Sequence, residues 1–379
     1  MAWIEPMEVG CVDPVKLLYW PRYTNPYQQL FYSAAPEELG AEHGPIEAAL
    51  AAISADPSKA VCFHLHWLNQ IIRGNSSELQ ARRGVSDFLR RLGAFKRGGG
   101  VFAWTVHNLA SHDSPHPALD QMLGALVGKA ADIVLLHSES AAAEVRRVFP
   151  AVVGKELMIR HGNYIGTYPN EITRAEARQR LSIAQDARVL LCLGAIRPYK
   201  GIEQMIAVLP NAARGGPPVH LVVAGRPSGM EVSGIEAAAL RSHVRLTLEP
   251  QEIAPEEMQV FLNAADWMAL PYRQILTSGS ALLGLSFGVP VIAPRRGTLV
   301  DLIEEGRDGL LFDPCEPAGL EQALRTALCM PAAMREAMAR RALKTARAQS
   351  WANGQGEFVD RIRRVHAFRN AGLAQARDS

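Results

Sequence analysis

The sequence predicts an α/β protein of two doubly wound domains, each built on a parallel sheet. Three observations lead there. At 379 residues the chain exceeds what one core covers comfortably, so two domains are expected. Short, continuous runs of Val, Leu and Ile recur along it, the pattern of strands buried on both faces. Amphipathic segments separate these runs, and strand–helix alternation of this kind builds parallel sheets.

In the first half the strands read VKLLYWP (15–21), AVCFHLHW (60–67), GVFAWTVHN (100–108) and DIVLLHSE (132–139). In the second they read RVLLCLGAI (188–196), VHLVVAGRP (219–227), HVRLTLE (243–249), DWMALPY (266–272) and VPVIAP (289–294). Helices are expected at 140–149, 171–182, 201–213, 256–265, 279–287 and 317–328. The segment 160–181 carries Gly, Asn and Pro before a helix start at Thr173, and reads as the hinge. The domains are therefore 1–170 and 171–345. A helical segment at 346–379 is expected to pack back on the first domain.

Composition narrows the function classes. Apolar residues make up 48% and charged residues 21%, so the chain is globular. A net charge of +2 gives no case for nucleic acid. The five cysteines form no C-x-x-C pair, which argues against a zinc site or a disulfide framework and fits a reducing, cytoplasmic location. The first fourteen residues are mixed and acidic, unlike a secretory signal, and no run reaches the ~20 apolar residues of a membrane span.

In open parallel sheets, ligands bind beyond the carboxyl ends of the strands, so the residues there are the candidates. After LLCLG come Arg197 and Lys200, two cations three apart at a loop-to-helix junction, suited to a diphosphate. Arg226 follows LVVAG, and Arg273 follows DWMALPY. The knot Thr277-Ser278-Gly279-Ser280 then opens a helix. Its hydroxyls can cap that helix, and its backbone N–H groups can form an anion nest. In the first half, WTVHN ends on His107, followed by His112 and Asp113. LLHSES offers Glu139, either as a functional carboxylate or as part of a helix start. His161 and Asn163 lie at the hinge. Asn25 and Tyr27 follow the first strand, on what would be the acceptor side.

Taken in order, LCLGAIRPYKGIEQMI, LVVAGRP, EEMQVFLNAADWMALPY, FGVPVIAPRRGTLVDLIEEGRDGLLFDP and PAGLEQAL resemble the glycosyltransferases of family 4 over about 150 residues. WTVHN, ADIVLLHSES and IRHGNY match more loosely. The resemblance implies the GT-B fold, two Rossmann-like domains facing a central cleft, and a nucleoside-diphosphate sugar of UDP or GDP type as co-substrate. It implies that Arg197, Lys200 and the loop at Thr277, Ser278 and Gly279 hold the donor diphosphate. His107 would stand near the donor sugar, with His161 and Asn163 at the inter-domain position. The family usually carries two glutamates eight positions apart. Here those places hold Ile275 and Leu283, which cannot hydrogen-bond a sugar, so retaining stereochemistry does not carry over. Bacterial exopolysaccharide transferases with a TSG loop look similar, and that group includes β-linking enzymes.

Cations and amides can stabilise a departing diphosphate without a metal, and no Asp-x-Asp motif is present, so metal-independent transfer is expected. An inverting enzyme needs an acceptor-side base, for which Asp113, His112 and Glu139 are candidates. Residues 67–97 combine apolar Trp67, Ile72, Phe88, Leu92 and Phe95 with Arg82, Arg83, Arg90, Arg91, Lys96 and Arg97, so peripheral contact with an anionic membrane and a saccharide or polyprenyl-linked acceptor are expected. Three rivals remain. A sugar-nucleotide epimerase would carry more cleft carboxylates, and a phosphorylase would need a pyridoxal-binding lysine context. A non-catalytic sugar-nucleotide-binding subunit would tolerate the missing glutamates. A nicotinamide dehydrogenase is excluded because no strand is followed by G-x-G-x-x-G.

Overall fold

A computed structural model describes residues 14–72, 77–110 and 114–377. The chain forms two compact units. The first takes the residues up to Leu136, Val145–Ile159 and the segment from Ala352 onward. The second takes His137–Glu144 and Arg160–Trp351. The change of unit falls at Arg160, ahead of residue 171, because the hinge peptide is held by the second unit. Asn163 N–H donates to Gln349 O at 3.1 Å, and Tyr164 N–H to Ser286 Oγ at 2.9 Å.

The first unit holds a six-stranded sheet of β1 (Val15–Trp20), β2 (Leu39–His43), β3 (Val61–Leu65), β4 (Val101–Thr105), β5 (Ile133–Leu136) and β6 (Glu156–Met158), in the order β2-β1-β3-β4-β5-β6. Every pairing is parallel. The order reverses between β1 and β3, so the loops after those strands flank a topological switch point. Strands β3 to β5 are buried throughout, as continuous apolar runs require.

The two faces of this sheet are covered differently. Phe63 packs on Phe88 and Phe95 of the helix Glu78–Arg97. Alternation along β3 then turns His64 to the opposite face. That face meets Tyr32 of the helix Tyr27–Ser33 and Phe358 of the helix Gln355–Arg377. The C-terminal helix is tied to the same unit by Gln355 Nε2 donating to Phe31 O at 3.0 Å and by Arg369 on Asp132 at 2.6 Å.

The second unit holds β7 (Arg188–Leu193), β8 (Val219–Ala224), β9 (Arg245–Glu249), β10 (Trp267–Ala269), β11 (Val291–Pro294) and β12 (Gly309–Phe312), in the order β12-β11-β10-β7-β8-β9, again all parallel. Its switch point lies between β7 and β10. Helices Ile202–Ala212 and Gly319–Cys329 bury Met205, Ile206, Leu209 and Leu324 on one face. The hinge helix Arg174–Arg180 starts at Thr173 with a capping box: Thr173 Oγ1 accepts from Glu176 N–H, and Glu176 Oε2 from Thr173 N–H. Asp266, just before β10, is fully buried and joins Arg174, Arg178 and Arg335 at 2.6–3.0 Å. Burial alone would raise its pKa, but Arg174, the Val189 N–H and Arg178 outweigh that and hold the carboxyl below its ordinary value.

Strands β2, β6 and β12 were not expected. β2 is an edge strand with only Leu39 buried, β6 has three residues and β12 four, so none shows a long apolar run. The basic stretch also differs from expectation. Ile72, Phe88, Leu92 and Phe95 are buried in the first unit's core. Arg82 and Arg90 bond Glu78 and Asp87, and Arg91 bonds both Glu47 and Asp87. These apolar residues therefore pack in the core rather than forming a face laid on lipid. No described helix is long and apolar enough to cross a membrane.

Candidate functional site

The second unit's site is built where β7 and β10 end, at the switch point. Gly194 leaves β7 with φ +98°, and a Cβ there would lie 3.2 Å from Lys200 Nζ and 3.6 Å from Ser280 Oγ. The bare glycine thus leaves room where an ammonium and a hydroxyl meet. Both groups donate to Leu193 O, Lys200 Nζ at 3.2 Å and Ser280 Oγ at 3.4 Å. Lys200 reaches this place because Gly201 turns left-handed (φ +68°) against the loop after β10. A Cβ on Gly201 would stand 2.1 Å from Pro271 O. The two loops are also joined by Arg273 N–H donating to Tyr199 O at 2.8 Å.

Ser278 caps the helix Gly279–Ser286, its Oγ accepting from Ala281 N–H at 3.2 Å. The preceding N–H groups, of Gly279 and Ser280, have no partner within the helix, and the Ser280 hydroxyl meets the Lys200 ammonium at Leu193 O. Thr277 Oγ1 is buried with no hydrogen-bond partner among the described residues. A buried polar atom left unmatched in this way is suited to a ligand. The loop itself is pinned by Thr298 N–H donating to Leu276 O at 2.8 Å and by Arg296 donating to Arg273 O at 2.9 Å.

The electrostatics favour an anion. Burial, and then the nearby Arg197, push the Lys200 pKa down to about 8, with Cys192 opposing. Burying cations together is costly, and a bound anion offsets that cost. Tyr272 stays protonated because burial and then Tyr199 raise its pKa, with the nearby Ser280 and Ser278 hydroxyls opposing. His161 is buried, and Nδ1 must donate to Gly162 O at 2.8 Å because a carbonyl only accepts. Burial and His137 push its pKa down to about 3, so it is neutral. Its Nε2 lies 3.7 Å from where a Cβ on Gly279 would sit.

The structure thus brings Lys200, Ser278, Gly279, Ser280 and His161 together, with Arg197 half-buried near them. Arg226 and Arg273 stand exposed at the ends of β8 and β10. Asn163 does not join the site: Nδ2 donates to Gln349 O at 2.5 Å, and Oδ1 accepts from Ile165 N–H at 3.0 Å. Its amide helps hold the hinge. Glu139 is exposed in the first turn of the helix Glu139–Val148, where a carboxylate suits the helix dipole. The hydroxyl that caps this helix belongs to Ser138, which accepts from Ala141 N–H at 3.2 Å. Leu283 is buried, and neither it nor Ile275 offers a polar atom.

In the first unit, His107 follows β4 and is 8% exposed. Trp67 stacks flat on it, centroids 4.3 Å apart and 13° between planes, and Tyr27 meets it edge-on at 4.9 Å. Tyr27 is therefore buried support for His107 rather than an acceptor-facing group, while Asn25 is exposed in its turn. His112 and Asp113 lie outside the described residues. Two histidines and a tyrosine that the sequence reading passed over form a chain with His107 here. His66 Nδ1 is 3.1 Å from His107 Nε2, and Tyr32 Oη is 2.7 Å from His66 Nε2. Tyr32 Oη is also 2.8 Å from His64 Nδ1, and His64 Nε2 is 2.8 Å from Thr105 Oγ1. The available signal was the i, i+2 spacing of His64 and His66, which places both on one face of a buried strand. Among the described residues no group of three His, Cys, Asp or Glu is arranged to hold a metal ion.

Two six-stranded parallel sheets with interleaved helices give the chain the GT-B fold. The solved structures similar to the chain include sucrose-phosphate synthase from Thermosynechococcus elongatus. Its TM-score is 0.61 at 18% identity, covering 94% of this chain and 100% of that one. They also include Anabaena HepE in complex with UDP and glucose, with a TM-score of 0.62 at 16% identity, covering 91% and 98%. Residues 173–345 match the family described as glycosyl transferases group 1. Among curated relatives, D-inositol 3-phosphate glycosyltransferase of Nocardioides is 26% identical over 68% of this chain. That alignment spans 59% of the relative's own length. GDP-mannose:glycolipid 4-beta-D-mannosyltransferase of Xanthomonas campestris is 26% identical over 76% of this chain and 75% of its own length.

Proposed function

We propose that the protein transfers a hexosyl or glucuronosyl group from a nucleoside-diphosphate sugar, of GDP or UDP type, to a lipid-linked saccharide in bacterial polysaccharide assembly. The observation that carries this is the convergence of Lys200, Ser280 and the start of the helix Gly279–Ser286 around the hollow at Gly194. In the reaction the diphosphate leaves with growing negative charge. Lys200, Arg197 and the N–H groups of Gly279 and Ser280 stabilise it in place of a metal. The relative acting on GDP-mannose and a glycolipid supports this donor and acceptor class, and the neighbour bound to UDP and glucose keeps the uridine donor in view.

The proposed outcome is inversion. Ile275 and Leu283 replace the glutamate pair associated with retention, and the Xanthomonas relative is named for a β-linked product. Inversion needs a base for the acceptor hydroxyl, and His107 is the described strand-end residue we assign to it. Contact with an anionic membrane, where the acceptor lipid lies, would rest on exposed charges such as Arg83 and Arg97, without insertion.

The test is a donor screen with GDP-mannose, UDP-glucose and UDP-glucuronate in the presence of a chelator and a polyprenyl-linked saccharide, with the product anomer read by NMR. Turnover of one donor with inverted configuration is expected. Neither transfer nor donor hydrolysis with any of them would overturn the reading.

A further inference from the structure

The edge of the second sheet away from the Gly194 hollow carries a second concentration of positive charge. There β7 begins at Arg188, and Asp266 lies just before β10. Four donors surround the buried Asp266 carboxylate. Arg174 Nη2 donates to Oδ1 at 2.6 Å, and Arg335 Nε lies 3.0 Å from the same oxygen. Arg178 Nη2 and Val189 N–H donate to Oδ2 at 2.9 and 2.8 Å. A carboxylate offers about four acceptor positions, so Asp266 has none left. Arg178 is provided for elsewhere as well: its Nε and Nη1 donate to the carbonyls of Ala264, Gln185 and Ala187 at 2.7–3.1 Å.

The arginines around it are short of acceptors. Arg188 Nε and Arg335 Nη1 are buried with no hydrogen-bond partner among the described residues. A guanidinium only donates, so what both places lack is an acceptor. Water reaches the Arg174 side chain, which is 42% exposed, far more easily than that of Arg335, at 12%. Negative charge is short in the same way. Burial holds the Arg335 pKa below its ordinary value, Asp266 and Glu336 oppose that, and the nearby Arg188 and Arg174 lower it further. The guanidinium charges of Arg174, Arg178, Arg188 and Arg335 thus face the carboxylates of Asp266 and the exposed Glu336, which leaves two positive charges unmatched. Arg335 also lies near the start of the helix Ala332–Ala348, whose first turn holds no acidic residue, so the positive end of the helix dipole adds to the field.

We infer that Arg174, Arg188 and Arg335 form a second anion site, which takes a free phosphate-type oxyanion. Such a dianion matches the two unbalanced charges, and its tetrahedral oxygens can accept from several guanidinium forks at once, which a chloride cannot do. The site is separate from the one proposed for the donor. β7 runs its full length of six residues from Arg188 to Leu193, so roughly 20 Å separates Arg188 from the Gly194 hollow. Each arginine comes from a different element: Arg174 from the hinge helix, Arg188 from β7 and Arg335 from the helix Ala332–Ala348. A bound oxyanion therefore braces three elements around Asp266 and stabilises the second unit without touching the donor.

The experiment follows thermal unfolding of the full-length protein as inorganic phosphate is titrated against chloride at matched ionic strength, in wild type, Lys200→Ala, Arg188→Gln and Arg174→Gln. Arg188 makes none of the bonds to Asp266, so Arg188→Gln leaves that network whole. Arg174→Gln carries the test if Arg188→Gln does not fold. We expect a saturable rise of at least ~3 °C with phosphate in wild type, the same rise in Lys200→Ala, and loss of more than half of it in each arginine variant. No rise in wild type would overturn the site. A rise lost in Lys200→Ala would place the phosphate in the donor pocket, and a full rise in both arginine variants would make it non-specific, and either result would overturn the inference. Vesicles containing phosphatidic acid present the same phosphate group on a lipid. Flotation with them that depends on Arg188 would assign the site to a membrane headgroup and overturn the free-ion reading; flotation unchanged by Arg188→Gln supports it.

Discussion

Lys200 offers the sharpest test of the diphosphate site, because its charge should change within the working pH range. Its pKa of about 8, set by burial and Arg197, leaves about 0.9 of the side chains as ammonium at pH 7 and about 0.1 at pH 9. The sign is clear: the depressed value removes the cation as pH rises, and the donor diphosphate needs the cation. At low donor concentration, kcat/KM reports the free enzyme, so it should fall about tenfold from pH 7 to pH 9. Groups packed around Lys200 do not compete for this limb. Cys192 is pushed up to about 12 and Tyr272 is raised further, both by burial, while His161 is already neutral. Lys200→Met should lose ~10²–10³ in kcat/KM and lose the limb with it. A flat wild-type profile between pH 7 and 9, or the same limb surviving in Lys200→Met, would refute the reasoning.

Three further outcomes follow from the packing. Asp266→Ala should destabilise the protein by ~3–5 kcal/mol in chemical denaturation, because it leaves Arg174, Arg178 and Arg335 without their shared carboxylate. Because the Asp266 pKa is depressed, its contribution in wild type should be present at neutral pH and lost as pH falls through the folded value. Gly201→Ala should cost at least ~1–3 kcal/mol of stability and weaken donor binding, since its Cβ would collide with Pro271 O and its φ is +68°. Ser278→Ala should cost about 1 kcal/mol in thermal unfolding through loss of the helix cap at Ala281.

What the sequence made legible follows from burial. Central strands such as β4, β7 and β8 stand out because both their faces are covered and nearly every residue is apolar. β2 and β6 close the first sheet with few buried residues, so composition does not mark them. Lys200 and Ser280 were readable because position at a strand end, not residue type alone, carries the information. His64 and His66 were hidden for the converse reason: inside an apolar run they look like tolerated core residues until Tyr32 and Thr105 are seen beside them. Asn163 and the 67–97 stretch misled in a third way. A polar amide and an amphipathic composition each suggested a ligand, but hinge hydrogen bonds and the domain core already use them.

The most direct measurement of the central claim is calorimetric titration of the purified protein with GDP and with UDP in the presence of chelator. The account predicts saturable binding of one of them to wild type, and loss of most of that affinity in Lys200→Ala with the fold intact. Binding of neither nucleotide, or equal binding to both proteins, would contradict it.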